Sequence, residues 1–327
     1  MPRTRHHSGV RSLSLATLLA ASCVATPTAP SAPSGEARTA KSEVAASTAP
    51  EAAPVPVPKL KSELPRGGRS IFPDHRLVGF CGTPGAPALG ELQGNLAVKS
   101  KALVGYAEKY AGSERKVLPV YELIAVVVQS GAGGDGKYRR RVDDGVVDTY
   151  LRLARESHGL LLLNIQPGQS DFLTEVKQFE KYLREPDVGL ALDPEWAMKS
   201  GQRPGKFFGQ TTGAEINGVA EYLSKVIADD DLPEKALVFH HVNRHVVKDE
   251  ETIKAYPGVV VIDSVDGLGP KWSKVETYNN LMLIMPRATV HAGFKLFFDE
   301  DRRNGNQLMT PVEVLRLKPQ PEYVMYE

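Results

Sequence analysis

The chain has 327 residues, enough for one large domain or two small ones, and its 42% hydrophobic fraction suits a soluble core. Lys+Arg 40 against Asp+Glu 39 leaves a formal net charge of +1, so there is no electrostatic footprint for nucleic acid. No apolar run approaches the roughly 18 residues of a membrane-spanning helix, and only two cysteines, Cys23 and Cys81, are present.

The first residues read as targeting. Arg3, Arg5 and Arg11 make a basic start, a short apolar segment follows over 13–21, and Leu19-Ala20-Ala21-Ser22-Cys23 closes it. That ending resembles a bacterial lipobox, with Ala20 where such motifs prefer leucine. The resemblance implies that Cys23 becomes a lipidated first residue and that the membrane is a partner through this anchor. Ordinary cleavage near Ala25 is the competing reading, and either one implies export. Cys81 then has no disulfide partner and reads as a buried thiol. Residues 24–69 are rich in Ala, Pro, Ser and Thr and include Pro54-Val55-Pro56-Val57-Pro58. Such a composition cannot bury a core, and it predicts a disordered, extended tether.

From residue 70 onward, apolar runs alternate with helical patterns. The runs are 77–80, 117–128, 160–165, 188–192, 236–239, 259–262, 291–298 and 323–326. Between them Val147, Tyr150, Leu151 and Ala154 share one helical face, as do Phe172, Val176, Phe179 and Leu183. Thr212-Gly213-Ala214-Glu215 and Thr310-Pro311-Val312-Glu313 read as capping boxes. Eight near-continuous apolar strands separated by helices predict an α/β fold, a (β/α)8 TIM-type barrel over 70–327. A doubly wound sheet is the alternative, but Cys81-Gly82-Thr83-Pro84-Gly85 after the first run is not the glycine pattern of a dinucleotide fold. Gly131–Gly136 has no phosphate-loop ending and reads as an exposed loop or lid. No cofactor is implied. Two stretches strain the reading: the second run contains Pro119 and Glu122, and 281–285 could be strand or helix.

In such barrels the site lies at the carboxyl ends of the strands. Those ends read Glu122, Asn164 with Gln166, Asp193 with Glu195, His240 with His241, Asp263 with Asp266, Lys295, and Tyr326 with Glu327. Asp193 and Glu195 are the sharpest pair. Residues two apart on a strand point the same way, and neighbouring carboxyls resist double ionisation, so one pKa should rise. That is the chemistry of a general acid beside an anion, at a separation near the 5–5.5 Å or so of retaining glycosidases. Asp263 is a candidate nucleophile or base should Asp193 only assist, while Asp266-Gly267 reads as a turn. Of the two adjacent histidines only one can face the lumen, and His241, nearer the strand end, is favoured. Lys295 would neutralise the carboxylates if it faces inward. Trp196, with Phe207 and Phe208 in the following loop, offers flat rings for stacking on sugars.

The stretch Leu190-Ala191-Leu192-Asp193-Pro194-Glu195-Trp196 resembles the fourth-strand Asp-x-Glu of barrel glycosidases, notably the chitinase-like and muramidase-like families. The resemblance implies a polysaccharide or oligosaccharide partner, with Glu195 as the acid and Asp193 as stabiliser or nucleophile. The chain departs from those patterns at Val188 and Ala191, where the chitinase-like motif has aspartates. It departs again at Phe80 and Cys81, where the muramidase-like families expect an aspartate. Three functions follow: an exported glycoside hydrolase, a non-catalytic surface lipoprotein that binds glycan or a protein, and a metal-dependent hydrolase. The third would use a histidine with Asp193, Glu195 and Asp263.

Overall fold

All eight apolar runs are strands in the computed structural model, which describes residues 62–112 and 115–327. The barrel strands are β1 (His75–Gly82), β2 (Lys116–Val128), β3 (Leu160–Ile165), β4 (Val188–Leu192), β5 (Lys235–His241), β6 (Val259–Val265), β7 (Val290–Leu296) and β8 (Tyr323–Tyr326). Each pairs in parallel with the next, and β8 returns to β1, where Leu77 stands beside Tyr323. The sheet therefore closes into the expected (β/α)8 barrel. The leader, Cys23 and most of the tether lie outside the described residues. The folded unit starts earlier than residue 70, however: Leu64 and Ile71 are buried against the barrel interior, and Arg69 pairs with Asp231 at 2.8 Å. An apolar side chain at 64 has a floor to cover, which the Pro- and Ala-rich composition around it conceals.

The helices are α1 (Leu96–Glu108), α2 (Asp144–Glu156), α3 (Phe172–Lys177), α4 (Glu180–Leu183), α5 (Gly213–Asp230), α6 (Lys271–Met282) and α7 (Pro311–Val314). Both capping boxes form, at Thr212 with Glu215 and at Thr310 with Glu313, each satisfying two backbone donors at a helix start. The stripe from Phe172 to Leu183 is buried, but the chain bends at Phe179 and divides it between α3 and α4. The open question at 281–285 is resolved as the end of α6 and a following turn. Among the described residues, β5 is followed by a short strand, Val247–Lys248, and a 3-10 turn, Glu250–Thr252, in place of an α-helix.

β2 is long because its far end does two things. A register shift between Ile124 and Val126 marks a bulge, and beyond it Val126–Val128 also pairs with a short antiparallel strand, Arg139–Arg141. Two buried layers result. Leu77, Leu118, Val120, Leu162, Val238 and Ile262 fill the lumen, while alternate residues such as Val78, Leu161, Leu237 and Phe239 face the helices. Gly293 shows how tightly the lumen is filled. A Cβ there would lie 3.0 Å from the Tyr323 ring and 3.1 Å from the Asp263 carbonyl oxygen. Gly293→Ala is therefore expected to cost about 1–3 kcal/mol by overpacking. The measurement is a urea midpoint, and an unchanged midpoint would show that the Tyr323 ring can move aside.

Candidate active site

The period of two that fills the lower barrel with apolar groups carries polar ones to its mouth. Along β3 the lumen face runs Leu160, Leu162, Asn164, and along β5 it runs Ala236, Val238, His240. β4 stops at Leu192, and Pro194–Trp196 forms a 3-10 turn in which the Trp196 amide donates to the Asp193 carbonyl at 3.1 Å. Asp193 and Glu195 both line one cleft, but it is this turn, and not continued strand alternation, that brings Glu195 round beside Asp193. The cleft is narrow, with about 50 Å³ open to the centres of water molecules. Asn164, Gln166, Trp196, Asp266, Lys295 and Glu327 contribute to its walls.

The floor of the cleft is a continuous hydrogen-bonded network. Glu122 Oε1 accepts from Asn164 Nδ2 at 2.9 Å and from His240 Nε2 at 3.0 Å, while its Oε2 accepts from the Tyr323 hydroxyl. Asp193 accepts from Asn164 Nδ2 and from Gln166 Nε2, each at 2.9 Å. His240 Nδ1 lies 2.8 Å from Asp266 Oδ2, so both ring nitrogens face carboxylates and both must donate. The imidazole is thus a cation. Burial opposes that charge, but Asp266 and Glu122 hold its pKa well above the ordinary histidine value. Burial likewise opposes ionisation of Asp266, yet His240 and Lys295 bring it down to about 2. For Glu122 burial is again the opposing influence, and His240 with Lys295 holds the carboxyl below its usual range. Lys295 Nζ lies 2.7 Å from Glu327 and 3.3 Å from Asp266.

Glu195 differs from these groups. Its Oε2 is buried and has no hydrogen-bond partner. Burial, then the neighbouring Asp193, then Asp266, push its carboxyl well above the usual carboxylate range. Burial also raises Asp193, against the pull of His240 and Lys295. A carboxyl pushed so far up, beside an Asp193 held by two amides and pulled back by His240 and Lys295, suits an acid next to an anion.

The cleft gathers Asn164, Gln166, Asp193, Glu195, Trp196 and Lys295, with Glu122 fully buried in the network beneath them, but three expected residues lie elsewhere. His241 points away from the lumen, with Nδ1 3.3 Å from Asp263 Oδ1 and Nε2 3.5 Å from Glu250. Asp263 pairs with it on that outer side, so neither belongs to the cleft, and Asp266 takes the place expected of Asp263. β5 and β6 are buried on both faces, so hydrophobicity alone does not reveal which alternate set is inside. The signal that could have found it is bulk: Leu237 and Phe239, the larger residues of β5, face the helices and leave His240 to the lumen. Tyr326 also faces the helices, with its hydroxyl 2.7 Å from that of Tyr110 and its ring stacked on Phe298. Tyr323 is the tyrosine that reaches the network. Phe207 is exposed and Phe208 packs against the outer core, whereas Phe297 lines the cleft. Among the described residues, no group of three or more His, Cys, Asp or Glu is placed to hold a metal ion, and the imagined cluster fails because His241 and Asp263 sit behind the wall. Cys81 is a fully buried thiol donating to Glu327 at 3.4 Å, and burial pushes its pKa up.

One wall of the cleft is fixed from behind. Lys274 is fully buried on α6, donates to the Gly267 carbonyl and lies 3.0 Å from Asp301. Asp301 also accepts from the amides of Gly269 at 3.1 Å and Phe297 at 3.0 Å. This clamp ties together the loops that present Leu268 and Phe297 to the cleft.

No family model matches the chain, and no curated protein matches it. Among solved structures it is similar to a GH18 chitinase, ChiB, from the chitin utilization locus of Flavobacterium johnsoniae. The TM-score is 0.40 and the identity 11%, over 77% of this chain and 87% of that one. What the cleft does chemically has to be read from its own residues.

Proposed function

We propose that the cleft cleaves a glycosidic bond, with Glu195 as proton donor and Asp193 as the anion that stabilises the positive charge developing on the sugar. The observation that carries this is the buried Glu195 carboxyl, its Oε2 without a hydrogen-bond partner and its pKa pushed up by burial and by Asp193. In the reaction Glu195 gives its proton to the glycosidic oxygen as the bond from that oxygen to the anomeric carbon breaks. Water then adds its hydroxyl to the anomeric carbon, and its remaining proton restores the acid. Asp193 is gripped at both oxygens, by Asn164 and Gln166, which suits a fixed countercharge. Trp196 and Phe297 supply flat apolar surface in the same cleft. Incubating the protein with a panel of bacterial and plant glycans is expected to release new reducing ends from at least one. Absence of release from every member would remove the hydrolytic reading.

Export and lipid anchoring through Cys23 belong to the same proposal. They are supported by the basic start, the apolar segment and the lipobox-like ending. In a bacterial host, Cys23→Ser is expected to move the protein from the membrane fraction to the soluble one. An unchanged distribution would favour ordinary signal cleavage.

A further inference from the structure

We infer that the cleft selects sugars that carry a free, protonated amine over their N-acetylated or uronic counterparts; this rests on reading the cleft as a glycoside-cleaving site. Apart from Glu300, four carboxyl groups line the cleft, those of Asp193, Glu195, Asp266 and Glu327, and Glu122 joins them from the network beneath, against two cations, Lys295 in the wall and His240 below it. Both cations are already committed. His240 is held between Glu122 and Asp266, and Lys295 between Glu327 and Asp266. A neutral Glu195 still leaves four carboxylates facing two positive charges. Glu300, at the mouth, is offset separately by Arg303 at 2.9 Å. Asp193 has only the amides of Asn164 and Gln166 as close donors, its nearest cation being His240 Nε2 at 3.8 Å.

A second observation points to a ligand of the same kind. Asn164 is 1% exposed and lines the cleft, and its Oδ1 has no hydrogen-bond partner. Its orientation is fixed, because turning the amide would set that oxygen against Glu122 and Asp193, where Nδ2 now donates. Two residues of the cleft wall therefore carry buried oxygens without a partner, Asn164 Oδ1 and Glu195 Oε2, next to an under-compensated carboxylate. An ammonium group brings three N–H donors and the missing positive charge. Acetylation removes the charge and adds bulk to a narrow space. A uronate would set a further negative charge against Asp193 in a poorly solvated site.

The test is calorimetric titration of the full chain with three hexamers, of glucosamine, N-acetylglucosamine and galacturonic acid, at mildly acid pH where the amine is charged. The glucosamine hexamer is expected to bind about tenfold or more tightly than the acetylated one, and the galacturonate least well. Glu327→Gln, which removes a carboxylate outside the acid/anion pair, is expected to narrow the amine preference several-fold. Equal or tighter binding of the acetylated hexamer, or a preference unmoved in the Glu327 variant, would overturn the charge selection and leave the glycosidase reading standing. Failure to bind any of the three would overturn the charge selection, while the glycan panel decides the glycosidase reading.

Discussion

Glu195→Gln is expected to lower turnover about 10²–10⁴-fold, the usual worth of a positioned general acid, while glycan binding survives. Glutamine has nearly the same shape and keeps one carbonyl oxygen, so the cleft wall is preserved, but it has no acidic proton to give. The pH profile supplies the finer readout. A general acid works only while protonated, so wild-type activity should hold below the raised pKa of Glu195 and fall as pH rises through it. Asp193 works as an anion, so activity should also fall when acid protonates it, at a pH above the ordinary aspartate value because its pKa is raised too. In the Glu195 variant the alkaline limb should vanish from the residual activity. Turnover within about threefold of wild type would sink the assignment, since no acid worth the name contributes so little.

The largest effect on stability is expected at Asp301. Asp301→Ala leaves the Lys274 ammonium buried without its countercharge and strips the Gly269 and Phe297 amides of their acceptor. Removing one partner of a buried ion pair costs about 3–5 kcal/mol, because the surviving charge is uncompensated. Adding Lys274→Met should recover part of that loss by removing the stranded charge, though the two amides stay unsatisfied. Urea midpoints at an unchanged slope measure both variants. A single-variant loss under about 1 kcal/mol would mean that Lys274 finds another partner. Because the clamp holds the loops carrying Leu268 and Phe297, the single variant should also weaken substrate binding at temperatures where it remains folded.

The barrel was legible because parallel strands buried on both faces leave long apolar runs, and 188–192 or 160–165 can scarcely be anything else. The same double burial hid the details. In β5 and β6 neither face is polar enough to declare itself, so the lumen side of His240 and His241, and of Asp263 and Asp266, is decided by closure of the barrel. Asp266-Gly267 has the composition of a turn, yet Asp266 is also the ion-pair partner of His240 and Lys295. Glu195 lines the cleft from a 3-10 turn, not from the extended strand that its spacing from Asp193 suggests. The Lys274–Asp301 clamp joins a helix residue to a loop residue 27 positions further on, and no local pattern announces it.

Leu64 and Ile71 seal the end of the barrel opposite the cleft, and the chain enters there, beside Asp231. A pull applied at Ser62 would load this plug first and leave the cleft at the far end of the barrel unobstructed.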